Sequence, residues 1–143
     1  MKGFLVPLLH SSLLVESKLI MNAKNEKSAV YRRASTDHQD ISLKDQADSN
    51  DEYSLRFNFD SVGEFKDEDV SGIVPFLERN GGRALLNRLK MGDGKHLVVS
   101  TQDRLGCDTL DVITTIRTVW TLGITPHFTQ EGGHFRVRPK TSC

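Results

Sequence analysis

The residues with the most chemical potential fall into two polar segments. The first, Arg32-Arg-Ala-Ser35, sets a serine hydroxyl beside two arginines. The second, Thr101-Gln-Asp-Arg-Leu-Gly106, supplies Asp103 and Arg104. A hydroxyl among guanidiniums with no neighbouring histidine base is poorly suited to peptide hydrolysis. No G-x-S-x-G elbow and no Ser/His/Asp order can be assembled from this chain. The combination suits a phosphodiester better. Arginine presents a planar fork of donors that matches phosphate oxygens and stays charged throughout a reaction. Several such forks around one phosphate would stabilise the extra negative charge of a pentacoordinate transition state and favour the serine alkoxide. Taken alone, an Arg-x-Ser is more often a solvated loop contact or a helix cap.

No cofactor or metal is expected. His10, His38, His96, His127 and His134 are scattered and form no ligand set, and no Gly-rich phosphate loop is present. The two cysteines, Cys107 and Cys143, have neither CxxC nor metal spacing, and are expected to be free thiols in a reducing cytoplasm.

The elements that must carry these segments can be read from the pattern. Ser28–Arg32 is short, apolar and β-prone, and the segment from Arg33 to Asp37 is a polar loop. Ser42 is placed as an N-cap, with Asp45 three residues on, opening a short helix from about Leu43 to Asn50. Alternating Leu55, Phe57, Phe59 and Val62 suggest a second strand region within 55–66, followed by an acidic loop at 67–72. Ala84, Leu85, Leu86 and Leu89 have helical spacing and stop at Gly92. Lys95–Ser100 is a buried strand. Asp108 caps a helix with Val112, Ile113, Ile116, Val119 and Trp120 on its apolar face, Gly123 closes it, and Ile124–Phe128 form a last strand. Such alternation implies an α/β fold, a mainly parallel sheet with helices on both faces. Ligands of such sheets bind at the carboxyl ends of strands, and both polar segments directly follow strands. A hydroxyl, arginines and a carboxylate would then share one rim.

The bulk numbers set limits. The 143 residues have room for one domain with a real core. Nineteen basic and nineteen acidic residues give zero net charge, which argues against holding DNA by bulk electrostatics. Any nucleic-acid contact must come from a local arginine cluster, or from a partner or further module. The apolar run from Gly3 to Val15 follows Lys2 but is interrupted by His10, Ser11 and Ser12 and lacks an A-x-A-like cleavage site. It is also too short to span a membrane. A cytoplasmic protein without a membrane partner is expected, with residues 1–25 as a poorly ordered extension, 26–130 as the catalytic domain and 131–143 as a tail.

Read together, the motifs resemble the catalytic domain of serine recombinases, the resolvase/invertase family, over residues 28–128. Tyr31-Arg-Arg-Ala-Ser-Thr-Asp-His-Gln39 is similar to the family's Tyr-x-Arg-x-Ser-Thr-x-x-Gln opening, and Ser42-Leu-Lys-Asp-Gln46 to the Ser-Leu-x-x-Gln that follows. Phe65-Lys-Asp-Glu-Asp-Val-Ser-Gly72 resembles the Asp-x-x-x-Ser-Gly loop, and Arg79-Asn-Gly-Gly-Arg-Ala-Leu-Leu86 the Arg-Pro-Gly segment before a Leu-rich helix. Asp103-Arg-Leu-Gly106 matches the Asp-Arg-Leu-Gly signature. The resemblance implies a resolvase-like fold and a site-specific recombinase that cleaves and rejoins DNA through a covalent 5′-phosphoseryl intermediate. Ser35 would be the nucleophile, with Arg33, Arg79 and Arg104 around the phosphate. Asp103 would orient the arginines and help protonate the leaving oxygen; Gln39, Gln46 and Ser71 would support the site. DNA is the implied partner, together with a second copy in a homo-oligomer or a full-length recombinase.

Two departures motivate an alternative. Cys107 stands where the family usually continues with another arginine, and residues 131–143 lack the apolar pattern of the family's long dimerisation helix. Both fit a truncated, catalytically impaired relative acting as a modulator or remnant. A generic phosphate-binding α/β enzyme acting on nucleotides is a third reading, suggested by the arginine-rich rim.

Overall fold

The computed structural model describes residues 25–35, 42–92 and 94–134. Gln39, most of the N-terminal extension and most of the tail lie outside them. Four strands form one parallel sheet: β1 (Lys27–Ala34), β2 (Asp60–Glu68), β3 (His96–Val99) and β4 (Thr125–Phe128), in the order β2-β1-β3-β4. Three helices connect them: α1 (Leu43–Arg56), α2 (Asn80–Lys90) and α3 (Thr109–Thr121). Short 3-10 turns at Phe76–Glu78 and Gln102–Arg104 precede α2 and α3.

Alternation along the central strands separates two layers. Ala29 and Tyr31 of β1, with Leu97 and Val99 of β3, face α2 and α3, where Leu85, Leu86, Leu89, Val112, Ile116 and Val119 complete the main core. Val30 and Val98 point the other way and pack with Tyr53 of α1 and with Phe59. The expected α/β sheet with helices on both faces is the fold observed.

Local signals explain where the helices begin and end. Ser42 accepts a hydrogen bond from the Asp45 amide at 3.1 Å, and Asp108 from the Asp111 amide at 2.9 Å, so each side chain satisfies one otherwise orphan helix donor. Gly123, at φ 76°, lets the chain reverse after α3. Its amide bonds to Trp120 O and the Ile124 amide to Val119 O, the paired closure of a Schellman turn.

Three expectations are corrected. Helix α1 runs on to Arg56, so Leu55 is helical and Phe57 is its C-cap rather than strand. The buried face of α1 is Gln46, Asn50 and Tyr53, polar in two places of three, and hydrophobic periodicity underestimates such a helix. Strand β2 begins only at Asp60 and continues through Asp67 and Glu68, which were expected in a loop. Trp120, placed on the apolar face of α3, is 52% exposed. Among the described residues, no helix is long and apolar enough to cross a membrane.

The histidines expected to be scattered are in part brought together. His96 Nδ1 and His127 Nε2 lie 2.8 Å apart, His96 Nε2 bonds the Glu26 carboxylate, and His127 Nδ1 is 2.7 Å from the Tyr53 hydroxyl. Phe59 stacks on the His96 ring at 4.3 Å. Burial pushes the His127 imidazole from 6.5 down to about 4, and the charges of His96 and His134 act in the same direction. The His96 partnership holds the Glu26 carboxyl below its usual range. Tyr53, His127, His96 and Glu26 thus form one continuous line of hydrogen bonds.

Three outcomes follow from these contacts. Asp108→Ala is expected to cost about 1 kcal/mol in urea unfolding. Gly82→Ala should cost about 1–3 kcal/mol or more, because its Cβ would lie 2.1 Å from Phe76 O. As pH falls from 6.5 towards 4, the unfolded chain takes up a proton that folded His127 refuses, so stability present above that window is lost within it. Unfolding curves at stepped pH should show this loss, and His127→Gln should make it shallower.

Candidate active site at the carboxyl rim of the sheet

Strands β1 and β3 are parallel neighbours, so the residues following each emerge on the same rim. Strand β1 delivers Arg33, Ala34 and then Ser35, which is half-buried. Strand β3 delivers Ser100 and Thr101, and the 3-10 turn presents Asp103 and Arg104. Strand alternation turns Tyr31 and Arg33 towards α2 and leaves Arg32 on the α1 side.

The backbone of Arg33 is held from two directions. Gln46 of α1, fully buried, accepts from the Arg33 amide at 3.1 Å and donates to its carbonyl at 2.8 Å. Arg104 Nη1 donates to the same carbonyl at 2.9 Å. The Arg33 side chain is itself buried, and its Nη1 donates to Val70 O at 2.8 Å. The strand end that leads into Ser35 is therefore pinned to both α1 and the β3 exit.

Arg104 is 2% exposed and meets Asp103 through two donors, Nε to Oδ1 at 3.3 Å and Nη2 to Oδ2 at 3.0 Å. The Thr101 hydroxyl donates to the same carboxylate. Burial raises the Asp103 carboxyl, but hydrogen bonds from Arg104 and Thr101 and the charges of Arg104 and Arg33 outweigh it, leaving a net lowering. Asp103 is thus a carboxylate at neutral pH, the state in which it orients the Arg104 fork.

Arg79 is the third arginine expected around the phosphate. It is 2% exposed, and its donors go inward: Nε to Val74 O at 2.8 Å, Nη2 to Gly72 O at 3.2 Å, and Nη1 to both Arg104 O and the Tyr31 hydroxyl, the latter at 3.0 Å. One guanidinium thereby ties the 72–74 loop, β1 and the Asp103–Arg104 turn into one unit. Ser71 lies exposed beside this loop, and its hydroxyl accepts from the Ile73 amide at 3.3 Å. The structure brings Arg33, Arg79, Arg104, Asp103 and Gln46 together; it leaves Ser71 at the loop surface.

Sequence reasoning missed two members of this unit. Asp67, expected in a loop, is a buried residue of β2 that accepts from the Tyr31 hydroxyl at 2.9 Å and from the amides of Gly81 and Gly82 at 2.7 and 3.1 Å. It caps α2, whose own N-cap residue, Arg79, makes no side-chain cap bond. Tyr31 stands between Asp67 and Arg79, and burial holds its phenol well above the ordinary value. The available signal was the Asp67 in the motif, with two glycines following Arg79 to let that carboxylate approach. A Cβ at Gly81 would lie 2.5 Å from Lys66 O.

Cys107 corrects another expectation. It is buried and disulfide-bonded rather than a free thiol. Its neutral side chain follows Gly106, whose Cα abuts the start of α3 too closely for any side chain: a Cβ there would lie 2.7 Å from the Val112 amide. Among the described residues, no group of histidine, cysteine and carboxylate side chains has the arrangement to hold a metal.

Comparison with known proteins gives a consistent picture. The family model described as Resolvase, N terminal domain, matches residues 28–141. The serine recombinases PinR and PinQ of Escherichia coli (strain K12) are each 40% identical over 67 residues, 47% of this chain and 33% of theirs. The chain therefore spans about a third of the length of these curated relatives. The N-terminal catalytic domain of TP901-1 integrase superposes with a TM-score of 0.67 at 25% identity, covering 75% of this chain and 79% of that one. The C-terminal catalytic domain of ISC1926 TnpA, an IS607-like serine recombinase, has a TM-score of 0.63 at 19% identity, over 72% of this chain and 70% of its own. A resolvase family site-specific recombinase from Streptococcus pneumoniae has 0.59 at 24%, over 76% and 74%. At those identities, the last two likenesses show the fold alone. With the family match extending over residues 28–141 and the fold shared, this chain belongs to the resolvase family of serine recombinases.

Proposed function

We propose that residues 26–130 form a DNA strand-transfer domain in which Ser35 is the nucleophile. The observation that carries this reading is the pinned end of β1: Gln46 and Arg104 hold the Arg33 peptide immediately before Ser35. In the step envisaged, Ser35 Oγ forms a bond to a DNA phosphorus as the bond from phosphorus to the 3′-oxygen breaks. The serine proton is lost, the departing oxygen gains one, and a 5′-phosphoseryl link and a 3′-hydroxyl result. The number of phosphoester bonds is unchanged, so rejoining needs no nucleotide. Arg33 and Arg104 supply charge at the phosphate, and the ionised Asp103 keeps the Arg104 fork in one orientation.

The remaining residues divide by what they touch. Arg79 and Asp67 position the rim, because their polar atoms are engaged with backbone and Tyr31. Gln46 acts through the Arg33 peptide, and Ser71 through the turn it closes with Ile73. Gln39 keeps its supporting role by resemblance. DNA as partner, self-association and a cytoplasmic location belong to the same reading.

The test traps the covalent intermediate. The full chain is incubated with end-labelled fragments of its host's genomic DNA, quenched in detergent, and assayed for protease-sensitive labelled adducts with free 3′-hydroxyl ends. Adducts are expected from the unaltered chain and none from Ser35→Ala; adducts from Ser35→Ala would overturn the assignment. Arg104→Lys keeps the charge but loses the fork, and should lower the adduct rate by about 100-fold.

A further inference from the structure

We propose that Arg32 is a positioning residue for Ser35: it fastens the start of α1, the first helix after Ser35 in the chain. The inference rests on the reading of Ser35 as the nucleophile. Arg32 is adjacent to Arg33 in sequence, but strand alternation sends its side chain to the opposite face of the sheet, the side on which Val30 meets α1. There its side chain is only 14% exposed. Nη1 donates to Leu43 O at 2.9 Å, and Nη2 pairs with Glu64 of β2.

One rigid fork thus joins three elements. Leu43 is the first residue of α1 and follows its N-cap, Ser42. The described residues on the two sides of positions 36–41 are therefore both fastened. Gln46 and Arg104 hold the Arg33 peptide before it, and Arg32 holds Leu43 after it. The other ties of α1 to the sheet lie farther along the helix: Gln46 on the Arg33 peptide one turn in, Asn50 donating to Tyr31 O at 3.4 Å, and Ser49 meeting Thr129 at 2.6 Å. Glu64 is 48% exposed, so water weakens its share of the interaction. The carbonyl bond, in partly buried surroundings, is the stronger constraint on the helix start. Lysine, a point donor on a flexible stem, cannot make both contacts in one plane.

The experiment uses the full chain carrying Ser35→Cys, with two readouts. Alkylation by iodoacetamide, followed by peptide mass spectrometry across pH, reports the electrostatic setting of the thiol at position 35. Amide hydrogen exchange over residues 35–46 reports how firmly the segment and the helix start are held. In the parent, Arg33 and Arg104 should pull the thiol below its ordinary value of about 8.5. Adding Arg32→Ala should return the alkylation profile towards that value and accelerate exchange over 35–46 by about tenfold, leaving β3 and α3 protected. Arg32→Lys should restore part of both effects.

Unchanged exchange over 35–46, acceleration spread equally over β3 and α3, or an alkylation profile indifferent to Arg32→Ala would each overturn the positioning role. An ordinary thiol profile already in the parent would instead count against Ser35 as nucleophile. In that case exchange over 35–46 still tests the Arg32 tie independently.

Discussion

Three guanidinium groups are buried at one rim of a small sheet: Arg33, Arg79 and Arg104 are each no more than 4% exposed. Taking so much positive charge out of water is unfavourable unless every group finds acceptors or opposite charge. The surrounding architecture follows from that constraint. Arg104 is matched by a two-point contact with Asp103. Arg79 is matched by backbone carbonyls and by Tyr31, whose hydroxyl in turn donates a hydrogen bond to Asp67. Arg33 holds Val70 O.

The same contacts do mechanical work. Asp67 satisfies the first amides of α2, which Arg79 as N-cap cannot do with a cationic side chain. It thereby fixes where α2 starts and, through Tyr31, how Arg79 lies. Arg79 then reaches the 72–74 loop and the carbonyl of Arg104. Removing any one member would leave a buried polar atom of another without its partner, so the unit is cooperative. The catalytic reading of Ser35 depends on this rigidity, because a nucleophile displaced by an ångström loses much of its advantage.

The far face of the sheet follows different chemistry. Helix α1 attaches through amides, hydroxyls and one arginine as much as through apolar packing: Gln46, Asn50 and Ser49 reach the carboxyl rim, and Tyr53 reaches His127. Directional bonds of this kind specify the height and rotation of a helix more tightly than a greasy stripe does. For an element that returns the chain after Ser35, that is a useful property.

Much of this was legible before folding was considered. Local rules depend on neighbours in sequence, so Ser42 and Asp108 as caps, Gly123 as a closing residue and the apolar strands β1 and β3 could be read directly. The clustering of Arg33, Arg104 and Asp103 also followed, since parallel neighbours must release their next residues on one rim. The rest was decided by contacts between residues far apart in the chain. Strand β2 is an edge strand rich in charge, so alternation suggested a strand within 55–66 without its bounds; pairing with β1 set them at Asp60–Glu68. Helix α1 buries polar groups whose partners sit on other elements, so its length was invisible to a hydrophobic count. His96 and His127 meet because β3 and β4 pair in a particular register, and Arg79 turns inward because Tyr31 and three carbonyls converge on it. Residue type and local spacing could say which groups were available for chemistry; only the register of the strands and the docking of the helices could say which of them would face one another.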